Sequence, residues 1–571
     1  MGDTGELVKA AFGLFVAHPP GYPLATLMSH IFIKLFSFGT IFWRASLLTA
    51  FYSVVTCYLI SRKANSVPLI GLGVALLFAS TRIFWRYSVL PDVFALNCLF
   101  ASAIIFLYLD THFVSYRKWI PFIFMIGLTN HLSLLFLFPL PAHIFVKNMK
   151  SKSQWLICFA ALGFFIGIYS LLFFFHPEDF ESWGQVTSFT HLLDHFLRKD
   201  YGTFSLVSGT QSSTLVTNLY YLWKQASESF LVLVIVSLLA FIRRLFLKNF
   251  LLEEYIYTFA MLAYIFGFFY LSNMEISGPR IELIERFFIL ANLLFFYWGL
   301  TQIVKSNFPN IALRLIALTL ALSAFYNVYR FYKLNNFSKN TVIEDYALNF
   351  LNQANAEKET LLITLTDTRY NAIKYAQNVI AKYPRVVVTH PSLLFFKWYP
   401  DKLKRQNMII GGPELNPGDT QNVEESLVVP NLKQKDILTN LQFTSEQLYL
   451  TAMQPIAKIL SPGKGLYIAN LATLNKINMR SGYQDIYSNE KEYDVARELL
   501  SEYSTYYTTL GNILSRGGQI PEGRLYYEKA LQINPWATNA KEKLCNLELK
   551  ANTDACLAEL EILKQKYYRY F

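Results

Sequence analysis

The chain has 571 residues, enough for more than one domain. Hydrophobic residues make up 53% of it, with 49 Phe and 36 Tyr, and the mean hydropathy is +0.29, high for a soluble protein and suited to aromatic-rich membrane spans. The formal charge of +11 does not point to nucleic acid, because much of the basic excess falls at the ends of apolar runs, where it sets membrane orientation.

Charge is unevenly distributed. Residues 1–330 hold 23 Lys/Arg and 15 Asp/Glu, against 28 and 25 in residues 331–571. A membrane half is therefore followed by a water-soluble half. Five Cys are too few and too scattered for a disulfide framework. Cys57, Cys98 and Cys158 lie in apolar runs, as small buried residues do. Cys545 and Cys556 could pair, although nothing in the sequence requires it. Neither CxxC nor HExxH occurs, so there is no metal motif.

Taken in order, the chain opens on a polar stretch, Gly2-Asp3-Thr4-Gly5-Glu6-Leu7. A rigid turn follows, His18-Pro19-Pro20-Gly21-Tyr22-Pro23-Leu24. Met1 opens no signal peptide. Residues 22–38 are apolar but interrupted by Ser29, His30 and Lys34, which predicts a helix at the membrane interface. Spans of about 20 apolar residues are predicted near 42–61, 67–85, 92–110, 153–175, 228–247, 254–272, 285–303 and 309–328. Residues 119–147 are broken by Gly127, Asn130, His131 and the Pro139 to Pro141 pair, so they are one long span or two short ones.

Basic residues favour the cytoplasmic side. Arg62/Lys63, Arg117/Lys118, Lys147/Lys150/Lys152, Arg243/Arg244/Lys248 and Lys305 share that side only if 119–147 crosses twice, for ten spans in all. The non-cytoplasmic face then carries residues 1–41, 81–92, 176–227, 273–284 and everything after 328. Asp3, Glu6, Arg82, Arg86, Asp92, Glu275, Arg280, Glu282, Glu285 and Arg286 converge there. Residues 1–41 then lack a span to carry them across, which predicts a further helix upstream. The segment 176–227 is too long for a simple connector.

Past residue 335 the pattern changes. Leu361–Leu365 and Val386–Thr389 read as short strands, and 343–357 and 371–382 as helices, a soluble α/β unit over 335–480. Asn336-Phe337-Ser338 is a glycosylation sequon. Loop is expected at 411–430 and helix at 444–460. Residues 504–537 fit one 34-residue tetratricopeptide repeat through Tyr507, Leu510, Gly511, Tyr527, Ala530 and Pro535, with helices at 490–503 and 539–566 stacked on it, a helical region over 485–571.

Asp3 and Glu6, spaced i, i+3, share a face if helical; alternatively they are a frayed start with a helix cap. Arg82 and Arg86 either bind an anion or snorkel to headgroups. Asp92 sits at the mouth of a span, where ionisable residues are functional candidates, or caps the helix that follows it. Arg286 is a candidate anion ligand, or it pairs with Glu282 or Glu285. His131, beside Asn130, is either a site residue or a core histidine bonded to a carbonyl.

The opening Gly-Asp-Thr-Gly-Glu-Leu, the His-Pro-Pro-Gly-Tyr-Pro-Leu turn, Trp43-Arg44, Leu90-Pro91-Asp92-Val93-Phe94-Ala95-Leu96-Asn97, Gly127-Leu128-Thr129-Asn130-His131, Trp183-Gly184, Tyr201-Gly202-Thr203-Phe204 and Glu285-Arg286-Phe287 together resemble the transmembrane-protein-260 family of O-mannosyltransferases and its bacterial relatives. Asp92 stands where that family often has Glu, and Gln185 where an Asp is expected. The family resembles the GT-C glycosyltransferases. The resemblance implies a polytopic α-helical, GT-C-like membrane domain at 42–330, preceded by an external catalytic loop at 1–41. It also implies transfer of a sugar, mannose, from a polyprenyl-phosphate carrier to protein hydroxyls on the non-cytoplasmic face of a bacterial inner membrane or the endoplasmic reticulum. Asp3 is then the general base, with Glu6 beside it. His18, Tyr22, Asp92, Arg82, Arg86, Asn130, His131 and Arg286 are candidates for holding substrate. No cofactor is needed beyond the lipid-linked sugar phosphate that serves as donor; the partners are that donor, an acceptor protein and membrane lipid. A transferase acting on a glycan or lipid, and a transporter or scaffold docking through the repeat helices, are the alternative readings.

Overall fold

The computed structural model describes residues 3–203, 215–272, 280–338, most of 341–411, the strands at 436–439 and 466–468, and most of 495–564. Two compact units result: Leu7–Phe337, and Met1–Glu6 together with Ser338–Phe571. The helix expected at 444–460, nearly all of the loop expected at 411–430, Phe204, Glu275 and the side chains of Arg280 and Glu282 lie outside the described residues.

The division between units runs through the first helix, α1 (Thr4–Gly13). Pro at its first turn starts α2 (Pro23–Leu35), the helix expected at the interface. Arg44 closes the far end of α2. Its guanidinium donates to the carbonyls of Ile33, Ser37, Phe38 and Gly39 at 2.7–3.1 Å, a planar fork filling acceptors that the helix leaves open.

Six helices are long and apolar enough to cross a membrane, among the described residues. They are α3 (Ile41–Arg62), α9 (Lys152–Ser170, with a 3-10 turn to Phe174), α11 (Leu215–Leu247), the run Leu252–Leu271, and the cores of α14 (Arg280–Lys305) and α15 (Asn310–Asn335). Leu252–Leu271 comprises α12 (Leu252–Leu262), a π-helical turn and α13 (Phe269–Leu271). The other expected spans are shorter or bent. Residues 67–85 form α4 (Pro68–Ser80) and α5 (Arg82–Val89), bent by 70°. The hydroxyls of Ser80 and Thr81 donate back to the carbonyls of Leu77 and Phe78, and Thr81 takes extended dihedrals there, so the ladder stops despite the unbroken hydropathy. The span at 92–110 is α6 (Phe94–Leu109), 16 residues. Residues 119–147 are two short helices, α7 (Ile120–Leu128) and α8 (Pro139–Asn148). Gly127 permits the tight return between them: a Cβ there would lie 2.6 Å from Leu134.

The segment 176–227, expected as loop, contains α10 (Phe189–Phe196) and the first half of α11, which kinks at Phe230 (φ −150°, ψ 32°). Its polar residues concealed the helix. Asn218 donates to Ser272 Oγ at 3.2 Å, and Gln225 accepts from Asn292 at 2.9 Å. These residues face inward, while Val216, Tyr220 and Trp223 face outward. Polar groups turned towards neighbouring helices are the pattern of a membrane bundle.

At the centre lies α14, 89% buried over its apolar window, whereas the other five long helices are 22–39% buried. At the end of the bundle rich in basic residues, Arg244 is fully buried. It donates to Glu254 Oε2 at 2.7 Å, Gln302 Oε1 at 2.8 Å and Asn249 Oδ1 at 3.0 Å, and Lys305 pairs with the other Glu254 oxygen. This network ties α11, α12 and α14 together.

In the other unit, β1 (Thr360–Ile363), β2 (Val386–Thr389), β3 (Asp436–Thr439) and β4 (Leu466–Ile468) form a parallel sheet of order β2-β1-β3-β4. Helices α16 (Val342–Leu351), α17 (Asp367–Tyr375) and α18 (Tyr399–Arg405) accompany it. Next come α19 (Val495–Arg516), α20 (Ile520–Ile533) and α21 (Thr538–Leu547). The helix expected at 490–503 is not a separate element; it continues into the one after it as α19, because no Pro or Gly interrupts residues 495–510. Gly511 lets α20 approach, with a Cβ there falling 2.6 Å from the Tyr527 ring. Cys545 and Cys556 form a disulfide.

Candidate active site

The His-Pro-Pro-Gly-Tyr turn is closed by a hydrogen bond from Gly21 N to His18 O at 2.8 Å, with a cis bond between Pro19 and Pro20. Gly21 (φ +94°) adopts a conformation open to glycine, and a Cβ there would press on Leu172 and His195 at 3.0–3.1 Å. Tyr22 follows in the left-handed region (φ 45°), and its side chain is buried. Its hydroxyl shares a 3.2 Å hydrogen bond with His18 Nε2. The turn thus orients two of the expected site residues together.

The turn is anchored to the loop that follows α9. His195 Nε2 donates to Ala17 O at 3.0 Å. Trp183 N donates to Val16 O at 2.8 Å, and Val16 N donates to Ser182 Oγ at 3.0 Å. Lys9, buried on α1, pairs with Glu181 at 3.0 Å. Trp183 meets the His18 ring edge-on at 6.3 Å. Burial pushes the His195 imidazole down to about 3, against a smaller opposing effect of its bond to Ala17 O. The unfolded chain takes up this proton near pH 6.5 and the folded chain does not, so stability falls as pH drops from about 6.5 towards 3. His195→Gln keeps an N–H donor without a titration. Melting curves across this range are expected to show a shallower pH dependence for the variant, and identical slopes would refute a buried neutral His195.

Tyr22 stacks on His131, with ring centroids 5.9 Å apart and planes 14° apart. Phe94 and Phe287 pack against the same imidazole at 5.0 and 5.8 Å. The guanidinium of Arg286 lies 5.5 Å from the Phe94 centroid and 5.8 Å from that of Phe287, while its Nε donates to Leu283 O. His18, Tyr22, His131 and Arg286 are therefore one aromatic-lined cluster, contributed by the opening turn, the break that follows α7, and α14. Phe94 and Phe287 complete it; as ordinary apolar residues they carried no chemical signal in the sequence.

Other expected residues resolve differently. Arg82 is half-buried and pairs with Glu285, 3.0 Å away, whose side chain is 4% exposed. Glu285 is thus the partner of Arg82, on the helix face next to Arg286. Arg86 lies over the Phe337 ring at 5.9 Å. Asp92 is half-buried and accepts from the backbone N–H of Val93 at 2.6 Å; it stands one residue ahead of the N-cap of α6 rather than at it. Asn130 is buried and donates to Val93 O at 3.1 Å, joining the α7 break to the start of α6. His131 is bonded not to a carbonyl but to Ser133, through both its N–H and its hydroxyl. Asp3 is half-buried ahead of α1, and Glu6 lies in that helix's first turn, in the other unit by the division above. Among the described residues, no group of His, Cys, Asp and Glu is placed to hold a metal ion.

Taken together, these features define a multi-spanning helical membrane protein with arginine and aromatic side chains gathered around a short N-terminal turn. Residues 3–156 match the family model described as the protein O-mannosyl-transferase TMEM260 N-terminal domain. The chain is 27% identical over 459 residues to protein O-mannosyl-transferase TMEM260 of Mus musculus, covering 75% of this chain and 64% of the relative. It is 27% identical over 335 residues to the Dictyostelium discoideum protein of the same name, covering 51% and 40%. The chain spans less than two thirds of the length of either relative. No solved structure matches it.

Proposed function

We propose that the chain is a membrane O-mannosyltransferase of GT-C type, passing mannose from a polyprenyl-phosphate carrier to Ser or Thr hydroxyls of protein on the non-cytoplasmic face. The observation that carries this reading is the match of residues 3–156 to the transferase family, which includes Asp3, the His18–Tyr22 turn and His131. A neutral hydroxyl is a poor nucleophile, and a carboxylate in reach takes its proton as attack proceeds. Asp3 fills that role, with Glu6 beside it. The acceptor oxygen bonds to the anomeric carbon from the face opposite the phosphate. The carbon–oxygen bond to phosphate breaks with its electron pair, and the configuration inverts. The leaving phosphate needs positive charge and donors rather than acid. Arg286 is the foremost candidate; Arg82 shares its charge with Glu285. The repeat-like helices α19–α21 serve acceptor binding or packing. The disulfide between Cys545 and Cys556 suits an oxidising compartment on the same face.

The test is mass spectrometry of exported glycoproteins from cells with and without the gene. O-linked hexose on Ser or Thr is expected only with the gene. Identical glycopeptides in both would overturn the reading.

A further inference from the structure

His131 is the N-cap of the 3-10 turn Leu132–Leu137, accepting from Ser133 N at 3.1 Å through Nδ1. Capping alone would be met by Asn, Asp or Ser, the usual residues there. The imidazole adds a second nitrogen, and its environment fixes what that nitrogen carries. A backbone N–H can only donate, so Nδ1 holds a lone pair. Ser133 Oγ, 2.8 Å from the same Nδ1, receives Asn97 Nδ2 at 3.0 Å, which leaves its own hydrogen for the imidazole. A neutral ring with Nδ1 accepting has its hydrogen on Nε2. Tyr22, Phe94 and Phe287 hold the ring in place. Ring capture and tautomer are thus both determined before any ligand arrives. The residue is only partly buried, and among the described residues Nε2 makes no hydrogen bond. Arg286 lies over two of the same rings.

We propose that His131 is a preset N–H donor to the phosphate of the lipid-linked substrate, acting beside Arg286. This rests on the transferase reading above. A fixed neutral donor adds a directed hydrogen bond without adding a second cation next to the guanidinium, and it needs no reorganisation when charge gathers on the leaving oxygens. The role is one that a side-chain amide can copy if its nitrogen reaches the place of Nε2: Gln reaches it, while Asn reaches only the place of Nδ1.

The experiment uses the full chain in lipid nanodiscs, with polyprenyl phosphate as the probe and polyprenol as the uncharged control. His131→Gln is expected to bind the phosphate within about threefold of the parent, and His131→Asn and His131→Ala to bind about tenfold or more weakly, the scale of one hydrogen bond to a charged group. In transfer assays the same pair is expected to separate in kcat as well as KM. Melting temperatures of the variants report folding, and if His131→Ala does not fold, the Gln and Asn pair decides alone. Equal weakening by Gln and Asn, or none by either, overturns the proposal while the parent's preference for phosphate over polyprenol stands. A parent that binds both alike overturns the transferase reading itself.

Discussion

Asp3→Asn is expected to reduce mannosyl transfer by about 10²–10⁴-fold, the contribution of a positioned general base, with expression and melting temperature unchanged. The amide preserves size and hydrogen-bonding reach but cannot accept the hydroxyl proton. The loss should therefore fall on kcat, with the KM for the lipid donor changed little. Glu6→Gln is the companion variant. Glu6 lies in the first turn of α1, where a carboxylate also stabilises the helix end. A modest loss in Glu6→Gln beside a large loss in Asp3→Asn assigns the base to Asp3. The measurement is transfer of labelled mannose from polyprenyl-phosphate mannose to acceptor peptides by membranes carrying each variant. Parental activity in Asp3→Asn would remove the residue from the mechanism.

Glu254→Ala is expected to destabilise the membrane unit by about 3–5 kcal/mol, the cost of leaving a buried cation without its counter-charge. Arg244 has no exposed surface, and Glu254 is 5% exposed. Gln302 and Asn249 would still accept hydrogen bonds from the guanidinium, but both are neutral. Lys305 would lose the same partner. Replacing both members of the pair, Arg244→Met with Glu254→Leu, should recover much of the loss, because well-packed apolar residues often match a buried ion pair in stability. Thermal unfolding in detergent checks both. A Glu254→Ala protein that melts with the parent would show that the pair is not holding α11, α12 and α14 together.

Much of the membrane architecture was legible because hydropathy over about 20 residues is a strong signal. The six long helices were all anticipated, although α11 begins well before residue 228. The misses share a cause: hydropathy sums composition and ignores hydrogen bonding. Ser80 and Thr81 turn a continuous apolar run through 70° at no visible cost in hydrophobicity. Conversely, Asn218 and Gln225 made a real helix read as loop, since their bonds to Ser272 and Asn292 were invisible. The site was read in part. Its polar members stood out, but pairings across the fold did not. Sequence proximity pairs Glu285 with its neighbour Arg286, yet the fold gives it to Arg82, some two hundred positions away. Phe94 and Phe287 decide how His131 is held; both stand in motifs that carry the family resemblance, but their apolar rings give no sign of that contact.

The short helices have a mechanical consequence. At 1.5 Å per residue, the 13 residues of α4 reach only about 20 Å, against a hydrocarbon core of about 30 Å, while the 22 residues of α3 reach about 33 Å. Leu69, Leu72 and Leu76 are exposed along α4, a lipid-facing stripe on a helix too short for the bilayer it meets. Such mismatch is met by local thinning of the bilayer. Thinning beside α4 would draw the headgroup plane towards α5. A lipid there would bring its phosphate inward by several ångströms without leaving the leaflet, and the activity of such a protein should rise in bilayers of shorter acyl chains.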